Sequence, residues 1–149
     1  GGFSHMQKSG LDSRFDLFHE SEACLLGVVC SETGIMTGAP YRVIDDTHWI
    51  FEGTGLEKND VFGEKCLHMR CPGGASGHET DKISENAPKN IQLLAKGLNP
   101  DEGGAEIVYH ETESKGEVFS VGSINYPSSL PVDENISKIT KNVLGRFLG

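Results

Sequence analysis

Asp133-Glu-Asn-Ile-Ser-Lys-Ile-Thr-Lys-Asn-Val-Leu-Gly-Arg-Phe147 is the stretch that decides the fold. Asp133 suits a helix N-cap, because its carboxylate can accept a backbone N–H that the first turn leaves unpaired. Ile136, Ile139, Val143, Leu144 and Phe147 then recur at helical spacing and form one apolar stripe. Glu134 lies at the positive end of that helix, and Lys141 and Arg146 lie toward its negative end. Each such charge contributes about 0.3–1 kcal/mol. A one-sided helix needs a sheet to cover. The two segments just upstream, Ala105 to Thr112 and Glu117 to Gly122, carry the β-branched and aromatic residues of a pleated surface. Glu113-Ser-Lys-Gly116 supplies hairpin turn chemistry between them. The expected fold is α/β or α+β, a twisted mixed sheet with the 134–148 helix packed on an antiparallel hairpin.

Farther upstream the signals are shorter. Ile91 to Ala95 fits either a helix capped by Asn86 and stopped by Gly97 or a short buried strand. The apolar run Leu25 to Cys30 reads as a strand covered on both faces, with Cys24 and Cys30 as small core residues. Gly38-Ala-Pro-Tyr-Arg42 marks a turn into an extended segment. Trp49-Ile-Phe51 is an apolar patch that breaks at Gly53-Thr-Gly55. Residues 1–20 are weakly patterned and are expected to be poorly ordered. Ser4-His5-Met6 reads as a vector remnant, so no role is given to His5. The polar start lacks a basic segment followed by an apolar one, which points to a cytoplasmic protein. The 149 residues together read as one domain.

Composition narrows the function classes. Hydrophobic residues make up 36% and charged residues 23%, the balance of a globular chain. Twenty-two acidic residues against 13 basic ones give a net charge of −9, and no Lys/Arg cluster interrupts it. That argues against a nucleic-acid partner. No apolar run approaches the ~20 residues of a membrane helix. Cys24-x5-Cys30 and Cys66-x4-Cys71 lack the tight knuckle of a structural zinc site, so no metal site is expected from the cysteines. There is no Gly-x-Ser-x-Gly elbow, no Gly-x-Gly-x-x-Gly and no Walker loop. Ser120 and Ser123 have no evident base, and a dyad of His68 with Cys66 or Cys71 lacks an oriented geometry in sequence.

The densest polar group is His78-Glu79-Thr80-Asp81, delivered by the glycine-rich Pro72-Gly-Gly-Ala-Ser-Gly77. The glycines let a ligand approach the backbone, and the acids and the histidine offer oxygen and nitrogen ligands. His78, Glu79 and Asp81 are therefore the candidate catalytic residues, with Tyr41 and Arg42 as candidate ligand-binding residues. The structural alternative has Glu79 and Asp81 satisfying loop N–H groups. His110-Glu111-x-Glu113 reads as a solvated edge beside the hairpin turn, and His48 as a satisfied, half-buried histidine beside Trp49.

Several stretches in order resemble the C-terminal region of the N,N-dimethylformamidase large (beta) subunit family. They are Pro40-Tyr-Arg42, Trp49-Ile-Phe-Glu-Gly-Thr-Gly55, Gly73-Gly-Ala-Ser-Gly-His-Glu-Thr-Asp81, Val118-Phe-Ser-Val-Gly-Ser-Ile-Asn-Tyr-Pro-Ser-Ser-Leu130 and Asn135 to Phe147. The similarity runs from about residue 25 to 149. It implies a fold related to class I glutamine amidotransferases, without their catalytic triad. It also implies hydrolysis of a substituted formamide to an amine and formate. The family's iron is held by tyrosine and glutamate side chains. No tyrosine here matches those ligands, and no motif secures Glu79 as the glutamate, so the cofactor is left unknown. A chain of this length is expected to be incomplete as a catalyst and to work as a homo-oligomer or with other subunits, on a small-molecule amide. The alternative is a non-catalytic scaffold or oligomerisation domain.

Overall fold

The computed structural model describes residues 21–31, 33, 34 and 36–149, so the expectations for residues 1–20 lie outside the described residues. The elements run α1 (Ala23–Leu26), β1 (Val28–Ser31), β2 (Gly38–Ala39), β3 (Tyr41–Val43), a 3-10 turn at Trp49–Phe51, β4 (Val61–Phe62), β5 (Ser76–Gly77) and β6 (Thr80–Ile83). They continue with β7 (Gln92–Gly97), β8 (Glu106–Glu111), β9 (Glu117–Ser120), α2 (Tyr126–Ser129) and α3 (Glu134–Leu148). The main sheet has five strands in the order β4-β3-β7-β8-β9. Every pairing in it is antiparallel. Two small antiparallel pairs, β1 with β6 and β2 with β5, complete an α+β architecture.

The hairpin forms as its residues dictate. Tyr109 pairs with Phe119 and His110 with Val118, and Lys115 takes a φ of 63° in the turn. Helix α3 begins where Asp133 Oδ1 accepts the Ile136 N–H at 3.1 Å. Ile136, Ile139 and Val143 are buried with Tyr41, Val43, Ile107 and Tyr109 in one core. Burying side chains of this kind stabilises by about 1.5–3 kcal/mol each. The stripe is narrower than the sequence pattern suggests: Leu144 is 52% and Phe147 42% exposed, because the sheet and the Trp49–Phe51 turn meet only the 136/139/143 face.

Elsewhere the structure settles one open reading and corrects two others. Ile91–Ala95 resolves to strand, since β7 is the central strand of the sheet and needs its backbone for two ladders. A bulge lies between Leu93 and Ala95. It frees the Leu94 carbonyl to accept the N–H groups of Ile44 and Asp45. Leu25 to Cys30 is not one doubly covered strand. Residues 23–26 make a helical turn, Gly27 reverses it at φ 81°, and the strand starts at Val28. That turn leaves Leu25 and Leu26 partly in solvent and Cys24 exposed, while Cys30 is half-buried, so neither cysteine is a core residue. His110 is not a solvated edge either. It is 2% exposed, and its Nε2 lies 3.0 Å from the Leu25 carbonyl, which covers this strand from the α1 side. His48 is half-buried as expected, and its Nδ1 accepts the Ile50 N–H at the start of the 3-10 turn.

Candidate functional site

The glycine-rich loop is held from below by one buried amide. Asn125 Nδ2 donates to the Cys71 carbonyl at 2.8 Å and to the Gly74 carbonyl at 3.1 Å. Ser123 Oγ donates to the Ala75 carbonyl at 2.7 Å and accepts the Gly77 N–H at 2.8 Å. Gly74, at φ 148°, presses on β2 so closely that a Cβ there would lie 2.3 Å from the Ala39 carbonyl carbon. The loop therefore follows one path, and His78 leaves it at φ 71°, in the left-handed region. Its backbone is fixed on both sides: its N–H donates to the Thr37 carbonyl and its carbonyl accepts from the Met36 N–H.

This geometry splits the His78–Asp81 quartet. The His78 ring turns toward His68 and Cys71. Cys71 Sγ lies 3.6 Å from His78 Nδ1, and the two imidazole rings stand 5.0 Å apart, centroid to centroid. The Cys71 N–H donates to His68 Nδ1 at 3.1 Å, and the His68 N–H donates to Cys66 Sγ at 3.4 Å. Cys71 is buried, and both histidines are half-buried. Among the described residues, His68, Cys71 and His78 form a group of metal-ligating side chains whose ligand atoms all lie within 4.8 Å of one another.

Glu79 and Asp81 go elsewhere. Glu79 is exposed and Asp81 half-buried. They line a shallow cavity of about 300 Å³ with Ser120, Val121, Gly122 and Ser123. Thr80 between them is buried, with its hydroxyl donated to the Thr33 carbonyl at 3.0 Å. Tyr41 faces the core, donates its hydroxyl to the Val121 carbonyl at 2.8 Å and stacks on Phe62. Burial holds its phenol protonated, well above the usual range. Arg42, the next residue on β3, points outward and lines a different cavity with Lys96 and Glu102. Ser123 and Ser120 are committed to carbonyls, those of Ala75 and Leu26 respectively, so neither is an activated nucleophile.

The residues present do not fit an iron held by tyrosines and glutamate. The Tyr126 hydroxyl pairs with Thr140, and the Tyr41 hydroxyl is spent on backbone. Tyr109 does meet a glutamate, donating to Glu117 Oε1 at 2.5 Å, but Arg146 occupies the same oxygen at 2.7 Å. A guanidinium there takes the place a cation would need. Burial and the Glu117 carboxylate push the Tyr109 phenol up to about 12.

Residues 5–140 match the family described as N,N-dimethylformamidase beta subunit-like, C-terminal. The chain belongs to this family. It is 32% identical over 128 residues to the N,N-dimethylformamidase beta subunit of Alcaligenes sp, covering 67% of this chain and 16% of that protein. It is 31% identical over 128 residues to the subunit of the same name from Paracoccus aminophilus, with the same coverage. The chain thus spans about one sixth of the length of these relatives. Among the described residues, no helix is long and apolar enough to cross a membrane.

Cysteine spacing alone does not reveal the His68–Cys71–His78 grouping, because two of its three members are histidines. The signal in the sequence is His68-x2-Cys71, which has the two-residue gap of a zinc knuckle. The return of His78 depended on the path of five intervening small residues, Gly73 to Gly77, which spacing does not reveal.

Proposed function

We propose that the chain serves as the C-terminal part of an amide C–N hydrolase that takes a substituted formamide to an amine and formate. Family membership over residues 5–140 is the observation that carries this reading. The chain works with other subunits or with a longer polypeptide, since its tyrosines are committed to structural hydrogen bonds. Glu79 and Asp81 mark the face turned toward the amide. Their cavity of about 300 Å³ suits a small substrate, and an exposed carboxylate there is placed to accept a proton from water attacking a carbonyl.

A scaffold role has its own support. The buried polar side chains Ser76, Asn99 and Asn125 and the half-buried Ser123 all bond backbone or one another, as in a region built to hold shape. Exposed Leu144, Phe147 and Leu148 at the end of α3 add apolar surface for self-association or for another subunit. Light scattering on the isolated chain reads the first of these.

The deciding experiment incubates N,N-dimethylformamide with the isolated chain and with the assembly purified from its native source. Formate and dimethylamine are counted by proton NMR. Equimolar release by the assembly and none by the isolated chain is expected. An assembly that releases neither product refutes the hydrolase reading, and turnover by the chain alone refutes its incompleteness.

A further inference from the structure

We propose that His68, Cys71 and His78 form a zinc site with one coordination position left for water. A thiolate and two imidazoles are a donor set suited to zinc, which is borderline-soft and takes nitrogen and sulfur together. Three protein ligands plus one solvent position is a common zinc arrangement. The distances are close to those required. Ligand atoms around a tetrahedral zinc stand about 3.3–3.8 Å apart, from bond lengths of ~2.0–2.3 Å. Cys71 Sγ and His78 Nδ1 are already 3.6 Å apart, and the whole set lies within 4.8 Å. Side-chain rotation of the two half-buried histidines closes the remainder.

The loop's construction points the same way. Asn125 and Ser123 fix the backbone on either side of Gly74, so Cys71 and His78 are presented by a rigid support. His78 is held at φ 71°, a conformation uncommon outside glycine, by hydrogen bonds of its own N–H and carbonyl. That backbone direction aims the imidazole at Cys71.

Two consequences follow for the protons. The Cys71 thiol loses its proton to solvent when the sulfur binds zinc, so uptake is favoured by rising pH. His68 must also give up the hydrogen bond it accepts from the Cys71 N–H. Ligation through Nδ1 replaces that donor directly. Ligation through Nε2 requires the proton on Nδ1, which can then no longer accept.

The inference is independent of the amide-hydrolase reading, because its test reads metal and not turnover. Zinc uptake by the reduced chain is measured by equilibrium dialysis in a Cys24→Ser background, which removes the exposed thiol. One zinc per chain is expected. His68→Ala, Cys71→Ala and His78→Asn should each weaken binding by more than about a hundredfold, beyond what loss of an outer-shell partner costs. Glu79→Ala and Asp81→Ala should leave it unchanged. Cobalt(II) in place of zinc should give the intense near-ultraviolet band of a thiolate ligand and the visible spectrum of a four-coordinate ion. That spectrum needs no variant, so the proposal stays testable if Cys71→Ala does not fold. His78→Asn retains a residue that tolerates positive φ. Absence of stoichiometric zinc, uptake indifferent to the three substitutions, or a cobalt spectrum without the thiolate band would each overturn the site.

Discussion

Asn125→Ala should loosen the loop that carries Cys71 and His78, and the cost can be worked from its contacts. The side chain is fully buried and supplies both N–H groups to the carbonyls of Cys71 and Gly74. Leaving two buried acceptors without donors costs roughly 1–3 kcal/mol each. Against that, Asn125 Oδ1 is itself buried without a partner, and its removal relieves a cost of the same order. The net loss is therefore about 1–3 kcal/mol, or roughly 3–10 °C in melting temperature for a chain of this size. Asn142→Ala is the control. Asn142 Nδ2 also donates to two carbonyls, those of Ile50 and Glu52, but at a partly solvated surface where water replaces the donor. It should cost under about 1 kcal/mol. Urea unfolding of both variants against the parent measures the difference. Equal losses would show that burial does not set the cost, and an unperturbed Asn125→Ala would show that this amide does not anchor the loop.

The tyrosines should ionise late: burial raises Tyr41 well above 10, and Tyr109 and Tyr126 reach about 12. The protonated form is the one the fold favours, so their contribution is intact below pH ~10 and is lost as pH rises toward 12. Tyrosinate absorbance of the folded chain at pH 11 should stay below half its full value. Acid should weaken the fold in two stages. Burial holds His48 below its usual range, and the Tyr109 hydrogen bond followed by Arg146 does the same for Glu117. Both contributions are present above the unfolded values and are lost on acidification, from pH ~6.5 downward for His48 and from ~4.5 downward for Glu117. Denaturant midpoints across pH 3–8 check this, and Glu117→Gln should shrink the lower stage, to which Asp45, hydrogen-bonded by Thr47, and Glu102, beside Lys96, also contribute. Gly74→Ala should fail to fold or melt far lower than the parent, because its Cβ would sit 2.3 Å from the Ala39 carbonyl carbon.

The sequence was most informative where one signal acted locally. Asp133 caps α3, and the Ile136/Ile139/Val143 stripe meets the hairpin as its spacing implies. It was least informative where tertiary packing chose between local options. β7 reads equally as helix until β3 and β8 claim its two edges. Gly27 divides an apolar run that looked continuous. The candidate site shows the same division. The importance of the Gly73–His78 loop was legible, but the partners of His78 were not. They depend on a left-handed φ and on Asn125, 47 residues farther along the chain. Tyr41 was legible as a polar aromatic beside a turn, and only the core reveals that its hydroxyl is spent on Val121.

The most direct test of the proposed function is formate release by the native assembly carrying Glu79→Gln, set beside the unmodified assembly and the melting temperature of each. Glu79 is exposed, so its substitution should leave stability within about 0.5 kcal/mol of the parent. If Glu79 faces the amide as a proton acceptor, kcat/KM falls about 10²-fold or more with melting unchanged. Unaltered formate release would contradict a catalytic role for this face.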